Sequence, residues 1–317
     1  MTMSEQFKRD VEQGLGNSPK TLPSKYFYDK KGDDLFVQIM SMPEYYLTRA
    51  EHEIFKNQVD ALIQALGISP ERHFELIELG PGDGTKTREL LSVLSQQAYK
   101  FDYFPIDISH NALDQLELQL KEELPGISVK TKQGDYFTML ASLRESPHPK
   151  MLFFLGSNIG NMNDQQAADF VYKLGSNLRV GDKLLLGVDL IKATDIVLLA
   201  YDDPAGLTRD FNLNLLERIN RELGGDFNLD TFQHEAEYSV ESGIAKSYLV
   251  SKLDQTVTLN GSGATFSFFR NEKILTEISR KYSDEIIDRI IQKTDFIVTR
   301  KLTDRQGYFA DYILTRV

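Results

Sequence analysis

Glu78-Leu79-Gly80-Pro81-Gly82-Asp83-Gly84-Thr85-Lys86 follows the apolar run at 74–79 (FELIEL) and leads into the amphipathic stretch at 85–97 (TKTRELLSVLSQQ). A strand that breaks into three glycines and resumes as a helix needs a sharp backbone turn and leaves room for a ligand to approach closely. Glycine meets both needs, and the first turn of the helix offers free N–H groups. The spacing is G-x-G-x-G. It is not the dinucleotide pattern G-x-G-x-x-G, because Thr85 stands where that pattern has its last glycine, and it is not a phosphate-binding P-loop. Taken alone, the turn is equally compatible with a purely structural corner.

Outward from this turn, short apolar runs alternate with helical stretches from Phe74 to about Ile191. FELIEL and TKTRELLSVLSQQ are followed by FDYFPI, SHNALDQLELQLKEEL with Ser109 as N-cap, ISVKTK, MLFFL, QQAADFVYKLGSNL and KLLLGVDL. That alternation predicts βα units, a parallel sheet and helices on both of its faces, an α/β fold of Rossmann-like type. Residues 1–56 read as a loop-rich, aromatic segment. Residues 209–224 read as helix, and 231–269 carry period-two patterns that predict antiparallel strands, hence a second α+β region. The tail holds two strand-like runs, DFIVTRKLTD and GYFADYILTRV, expected to return to the parallel sheet as a hairpin.

Composition narrows the function. The 317 residues carry 36 Lys and Arg against 47 Asp and Glu, a formal net charge of −11, with no Cys. A thiol nucleophile and a thiolate metal site are therefore excluded. Acidity without a dense basic block argues against nucleic acid as partner. The opening MTMSEQFKRD is too polar for a signal peptide and no apolar run approaches the ~20 residues of a membrane span. A cytoplasmic protein with a small-molecule ligand, no membrane association and no partner chain is expected. The five His are scattered, with no H-x-x-x-H pair, so no metal site is expected.

Ligands on such sheets bind beyond the carboxyl ends of the strands, so the residues just after each run matter most. After the glycine turn, the second strand ends in Asp107, suited to ribose hydroxyls. The third is followed by Gly134-Asp135-Tyr136, a carboxylate and a ring suited to an adenine. The fourth ends in Leu155-Gly156-Ser157-Asn158-Ile159-Gly160-Asn161, a second glycine-rich turn. The plainer reading is that Asp107 and Asp135 are solvated caps.

This layout resembles the class I S-adenosylmethionine (SAM)-dependent methyltransferases. Beyond the core, several further stretches complete a closer resemblance. They are Tyr26-Phe27-Tyr28-Asp29, the run from Pro43-Glu44-Tyr45-Tyr46-Leu47 through Thr48-Arg49-Ala50-Glu51, FLGSNIGNM, Ala200-Tyr201-Asp202-Asp203, Phe211-Asn212-Leu213-Asn214-Leu215-Leu216 and Thr276-Glu277-Ile278-Ser279. Over nearly the whole chain they resemble the histidine-specific Nα-methyltransferases that make hercynine for ergothioneine synthesis. The resemblance implies a SAM-binding methyltransferase domain of residues 57–191 and 282–317 and a substrate-binding domain of residues 1–56 and 192–281. It also implies action on a free amino acid, L-histidine, with S-adenosylhomocysteine as product; a monomer is expected.

The same resemblance assigns residues. Gly80, Gly82, Lys86, Asp107, Asp135, Tyr136 and Gly156 would hold the cofactor. Tyr28, Asn161 and Tyr201 would hold the amino-acid end, with Tyr28 and Asn161 in the catalytic group, and Tyr45, Glu277 and Ser279 would read the imidazole. Pro81 and Asp83 stand where the family often has small polar residues, and Ser247 where its histidine enzymes have a Met. The sequence alone also allows Tyr45 to be core and Glu277 to be an exposed helix residue. The same reaction on tryptophan or tyrosine, or a non-catalytic SAM-binding regulatory module, are the alternatives.

Overall fold

The computed structural model describes residues 3–317. The chain divides into two compact units. One is built from Leu47–Ile191 and Lys281–Val317; the other from the chain up to Tyr46 and from Lys192–Arg280.

The first unit is organised by an eight-stranded sheet. Its order is Phe296–Thr303, Phe309–Arg316, Lys183–Asp189, Lys150–Phe154, Phe74–Leu79, Phe101–Asp107 and Ser128–Val129, with Lys132–Gln133 also paired to Phe101–Asp107. The strands from Lys183–Asp189 onward are parallel, and the tail hairpin joins antiparallel, Phe309 opposite Asp189. Every residue of Phe74–Leu79 is buried, as a strand covered on both faces must be. Alternation divides the apolar side chains. Ile77, Leu79, Leu152 and Phe154 pack against Leu140, Phe170, Leu174 and Ile287 on one face. Leu76, Met151 and Phe153 pack against Ile54, Phe55, Leu90 and Leu116 on the other. Phe74–Leu79 lies between Phe101–Asp107 and Lys150–Phe154, so the chain leaves it in both directions. A crevice at such a switch point is where open α/β sheets take ligands.

The unit boundary departs from the expected break at residue 57. Leu47–Asn57 is a helix whose buried face, Leu47, Ala50, Glu51, Ile54 and Phe55, belongs to the sheet unit; Ile54 and Phe55 are wholly enclosed in that core. Residue 281 likewise joins the sheet unit, where the fully buried Lys281 ammonium meets Asp189 at 2.8 Å and Tyr282 N–H donates to the Asp189 carbonyl.

The second unit is α+β. A four-stranded sheet runs Lys20–Thr21, Lys273–Arg280, Ile244–Ser251 and Phe232–Ser239, with the first pair parallel and the others antiparallel. Gln255–Leu259 and Ala264–Phe268 form a separate hairpin. The first 56 residues are richer in helix than the sequence suggested, with helices at Met3–Gly16, Lys30–Ser41 and Leu47–Asn57. Phe27, Ile39 and Met42 are buried with Phe211, Leu215 and Leu216 of the long Leu207–Leu223 helix. The aromatic residues of this segment thus serve a helical core that lies far from them in sequence.

Candidate active site

In the sheet unit the strand ends are stitched side by side. Gly80 N–H donates to the Ile106 carbonyl at 2.9 Å and Gly134 N–H to the Asp107 carbonyl at 3.0 Å. The first glycine turn, Asp107 and the Gly134-Asp135-Tyr136 turn therefore share one rim. Gly80, Gly82 and Gly84 all have φ between 60° and 67°, a region L side chains rarely adopt. At Gly80 a Cβ would come within 2.7 Å of the Tyr136 hydroxyl, whereas at Gly82 it would meet nothing within 4 Å. The turn is thus bare at its tip and roofed by Tyr136 at its start, a cradle fitted to a ligand that must lie close to the backbone.

Charge is arranged around the same rim. The Asp107 carboxylate accepts Ser109 N–H at 2.8 Å. Burial together with the charge of Asp107 pushes the Tyr136 phenol up to about 12. Asp135 caps the Tyr136–Leu143 helix by accepting Thr138 N–H at 3.0 Å, and its hydrogen bonds with Thr138 hold its carboxyl below the usual range. The capping role foreseen as the plainer reading is thus real for Asp135, which is also exposed. Gly156, with φ 76°, lies against Lys86, whose Nζ is 3.7 Å from the point a Cβ would occupy. Asn161 ends the short helical turn Asn158–Asn161 in this same unit and is exposed.

In the other unit four of the expected substrate residues converge. Tyr201 Oη donates to Ser279 Oγ at 2.7 Å, and Glu277 lies two residues before Ser279 on one strand, hence on the same face. Although 45% of the Tyr28 surface is exposed, desolvation of its phenol end, then the charge of Glu277, then Asp33 and Tyr201, raise the phenol above its ordinary value. It therefore stays protonated. The Tyr28 ring meets Phe211 edge-on at 5.8 Å and Phe36 at 5.6 Å, and Phe36 in turn meets Tyr45 at 6.2 Å. Tyr45 is partly buried beside the core of this unit.

The Leu207–Leu223 helix explains why these side chains stand where they do. Asn214 Nδ2 donates to Asp29 Oδ1 at 2.8 Å, and the same oxygen accepts Gly32 N–H at 2.8 Å, fixing the backbone next to Tyr28. Two residues earlier on the helix, Asn212 Oδ1 lies 2.7 Å from the Thr276 hydroxyl, whose one proton is shared with the Ser247 carbonyl at 2.9 Å. Register with the neighbouring strand shifts between Leu275 and Glu277. Such a bulge re-aims the side chain that follows it, and the side chain here is Glu277. Glu277 thus belongs to a strand, not to the exposed helix the local sequence allowed. Ser247 lies directly across from Glu277 and is wholly buried.

The family description "Histidine-specific methyltransferase, SAM-dependent" matches residues 7–316. The chain belongs to that family. Histidine N-alpha-methyltransferase of Mycolicibacterium smegmatis is 36% identical over 308 residues, spanning 96% of this chain and 94% of that protein. The protein of the same name from Mycobacterium tuberculosis is 36% identical over 302 residues, spanning 95% and 92%. Ergothioneine biosynthesis protein 1 of Schizosaccharomyces pombe is 31% identical over 313 residues, spanning 96% of this chain and 40% of that larger protein. This family member is a SAM-dependent methyltransferase with a Rossmann-like sheet.

Three polar residues of this methyltransferase escaped the sequence reading as individuals. Glu78 is buried at the foot of the glycine turn, where its carboxylate accepts Tyr103 Oη at 2.6 Å and Thr87 Oγ1 at 2.8 Å. Burial pushes it up to about 7 against those two hydrogen bonds. Glu51 and Asp311 are buried completely. For Glu51 a signal existed: it shares the apolar stripe of Leu47, Ala50, Ile54 and Phe55, and an acid on a buried helix face needs a partner. Among the described residues no group of three or more His, Asp or Glu could hold a metal ion, and no helix is long and apolar enough to cross a membrane.

Proposed function

We propose that the protein methylates the α-amine of free L-histidine three times in succession, giving the trimethylated betaine hercynine. The observation that carries this reading is the convergence of Tyr28, Tyr201, Glu277 and Ser279 on one helix-braced sheet. A carboxylate beside hydroxyl groups suits a ligand with a ring N–H, and an analogue without that N–H would leave Glu277 unpaired, which penalises it. Family membership over residues 7–316 and the names of the relatives favour histidine as the acceptor.

SAM, when bound, supplies a sulfonium methyl: the N–C bond forms as the C–S bond breaks. Gly80, Gly82, Lys86, Asp107, Asp135, Tyr136 and Gly156 would hold it. Asn161, Tyr28 and Tyr201 would grip the amino-acid end, while Tyr45, Glu277 and Ser279 read the ring. Tyr28 remains a neutral phenol, so it can accept a hydrogen bond from the amine without serving as its base, and the proton lost from the amine goes to solvent. A neutral Asn and phenols hold a carboxylate without adding positive charge near a sulfonium. Most of the rate then comes from alignment, for which effective molarities are worth as much as ~7–11 kcal/mol.

The test is a methylation assay across the free amino acids, read by mass. Histidine should gain one, two and then three methyl groups. Tryptophan or tyrosine taken in preference would reassign the acceptor, and a histidine product that stops at one methyl would refute the successive reaction.

A further inference from the structure

Beneath the two glycine turns of the sheet unit, two buried carboxyls outside the ligand-facing set, Glu51 and Asp311, lie behind Lys86 and Gly156. Glu51 is fully enclosed. Both of its oxygens lie 3.0 Å from Gly156 N, and Oε2 also accepts from Lys86 Nζ. Asp311 stands alongside, equally enclosed, and neither of its oxygens has a hydrogen-bond partner among the described residues.

We propose that Glu51 is the positioning residue of the cofactor end. Its carboxylate ties Lys86, on the helix that opens from the first glycine turn, to the backbone N–H of Gly156 in the second, while Asp311 stays uncharged beside it and leaves the Glu51 charge to Lys86. The proposal rests on the reading that these turns hold SAM.

Gly187 gives independent support. It is Asp311's direct partner on the adjacent strand, and its φ is not positive, so backbone freedom does not explain the glycine. Space does. A Cβ there would come within 2.1 Å of Glu51 Oε1 and 3.1 Å of Asp311 Oδ1, which means the bare strand is what admits both carboxyls. An ionised acid in such a site without a partner is strongly disfavoured. Burial first, then the charge of Glu51, raise the Asp311 carboxyl well above its ordinary value against the pull of Lys86. The Lys86 ammonium is raised as well. Burial alone would lower it, but the charge and hydrogen bond of Glu51 hold it above its ordinary value. The ammonium is thus kept charged and fixed in place by one anion.

The test uses the full chain. Binding of S-adenosylhomocysteine is measured by calorimetry and the KM values for SAM and histidine by turnover, in wild type, Glu51→Gln, Gly187→Ala and Asp107→Ala. Loss of a charge-assisted hydrogen bond should weaken cofactor affinity about tenfold or more in Glu51→Gln, raise the KM for SAM in step and leave the KM for histidine unmoved, while the unfolding midpoint falls because the Lys86 ammonium loses its anion. Gly187→Ala keeps every charge and only displaces the carboxylate, so it should give the same split, and it carries the test if Glu51→Gln does not fold. Unchanged or tighter cofactor binding in these two variants, with Asp107→Ala weakened, would overturn the role of Glu51 while the SAM site stands. A wild type that binds no S-adenosylhomocysteine would overturn the site itself. Infrared difference spectra of wild type against Asp311→Asn at neutral pH should show the loss of a protonated carboxylic acid band, and the loss of a carboxylate band instead would refute the uncharged state.

Discussion

Replacing Glu78 by glutamine should flatten the fall in stability that the wild type shows as pH rises from mildly acid to neutral. Glu78 ends the strand that enters the glycine turn, is 2% exposed, and accepts hydrogen bonds from Tyr103 and Thr87. Those two bonds favour the anion, but burial outweighs them, and the carboxyl sits at about 7 in place of its ordinary 4.5. A folded-state value above the unfolded one means the native protein binds the extra proton. Its contribution to stability is therefore fully present below 4.5 and lost as pH rises through about 7. At 1.36 kcal/mol per pH unit the gap is worth ~3 kcal/mol. Glutamine has no such titration. Urea unfolding followed by circular dichroism at several pH values between about 5 and 8 should therefore show the wild type losing roughly 2–3 kcal/mol relative to Glu78→Gln. A constant offset between the two is expected from altered hydrogen bonding and does not bear on the result. Profiles that run parallel to within about 0.5 kcal/mol would mean that Glu78 ionises freely in the folded state, and the account of burial dominating its hydrogen bonds would fail.

Asp107→Ala should weaken S-adenosylhomocysteine binding by calorimetry with little change in unfolding midpoint, because the side chain is only partly buried and its internal bond is a local one to Ser109; unchanged affinity would remove it from the cofactor site. Glu277→Ala should raise the histidine KM far more than the SAM KM, and equal effects on both would detach it from the ring. Tyr201→Phe breaks the buried bond to Ser279 and should lower stability by about 1 kcal/mol while raising the histidine KM. Because burial and Glu277 raise the Tyr28 phenol, the pH profile of kcat should have no alkaline limb that disappears in Tyr28→Phe; finding one would make Tyr28 a base.

The parallel sheet was legible because strands covered on both faces must be continuously apolar, and FELIEL, MLFFL and KLLLGVDL are separated by stretches of helical period. The tail hairpin was legible as two strand-like runs separated by a short polar turn, although its outer strand, Phe296–Thr303, is mostly exposed. The break between units was not. Leu47–Asn57 has a buried face like any amphipathic helix, and nothing in that periodicity says which core it joins; Ile54 and Phe55 join the sheet core. The helices of the first 56 residues were obscured by aromatic residues whose partners, Phe211 and Leu215, lie far away in sequence. At the site, the glycine turn, Asp107 and Asp135 could be picked out because strand ends are few and known in advance. Glu277 depended on resemblance alone, since its orientation is set by a bulge that Asn212 anchors through Thr276, and a bulge leaves no mark in hydrophobic period.

The charge around the sheet unit's glycine turns follows a consistent division. The acids expected to meet the ligand, Asp107 and Asp135, lie where solvent reaches them. Asp135 in particular is held below the usual carboxylate range by its helix cap. The acids behind the turns are treated differently. Glu78 and Asp311 are raised by burial, and Glu51 is matched to the single ammonium of Lys86. Were all three interior carboxyls ionised, two negative charges would be left over in a buried region, and Lys86 would be shared among competitors. With Asp311 raised well above its ordinary value and Glu78 giving up its proton only near 7, Lys86 faces chiefly the one carboxylate it contacts, Glu51. The ammonium can then stay fixed at Gly156 while the exposed rim carries the negative potential that a sulfonium-bearing ligand requires.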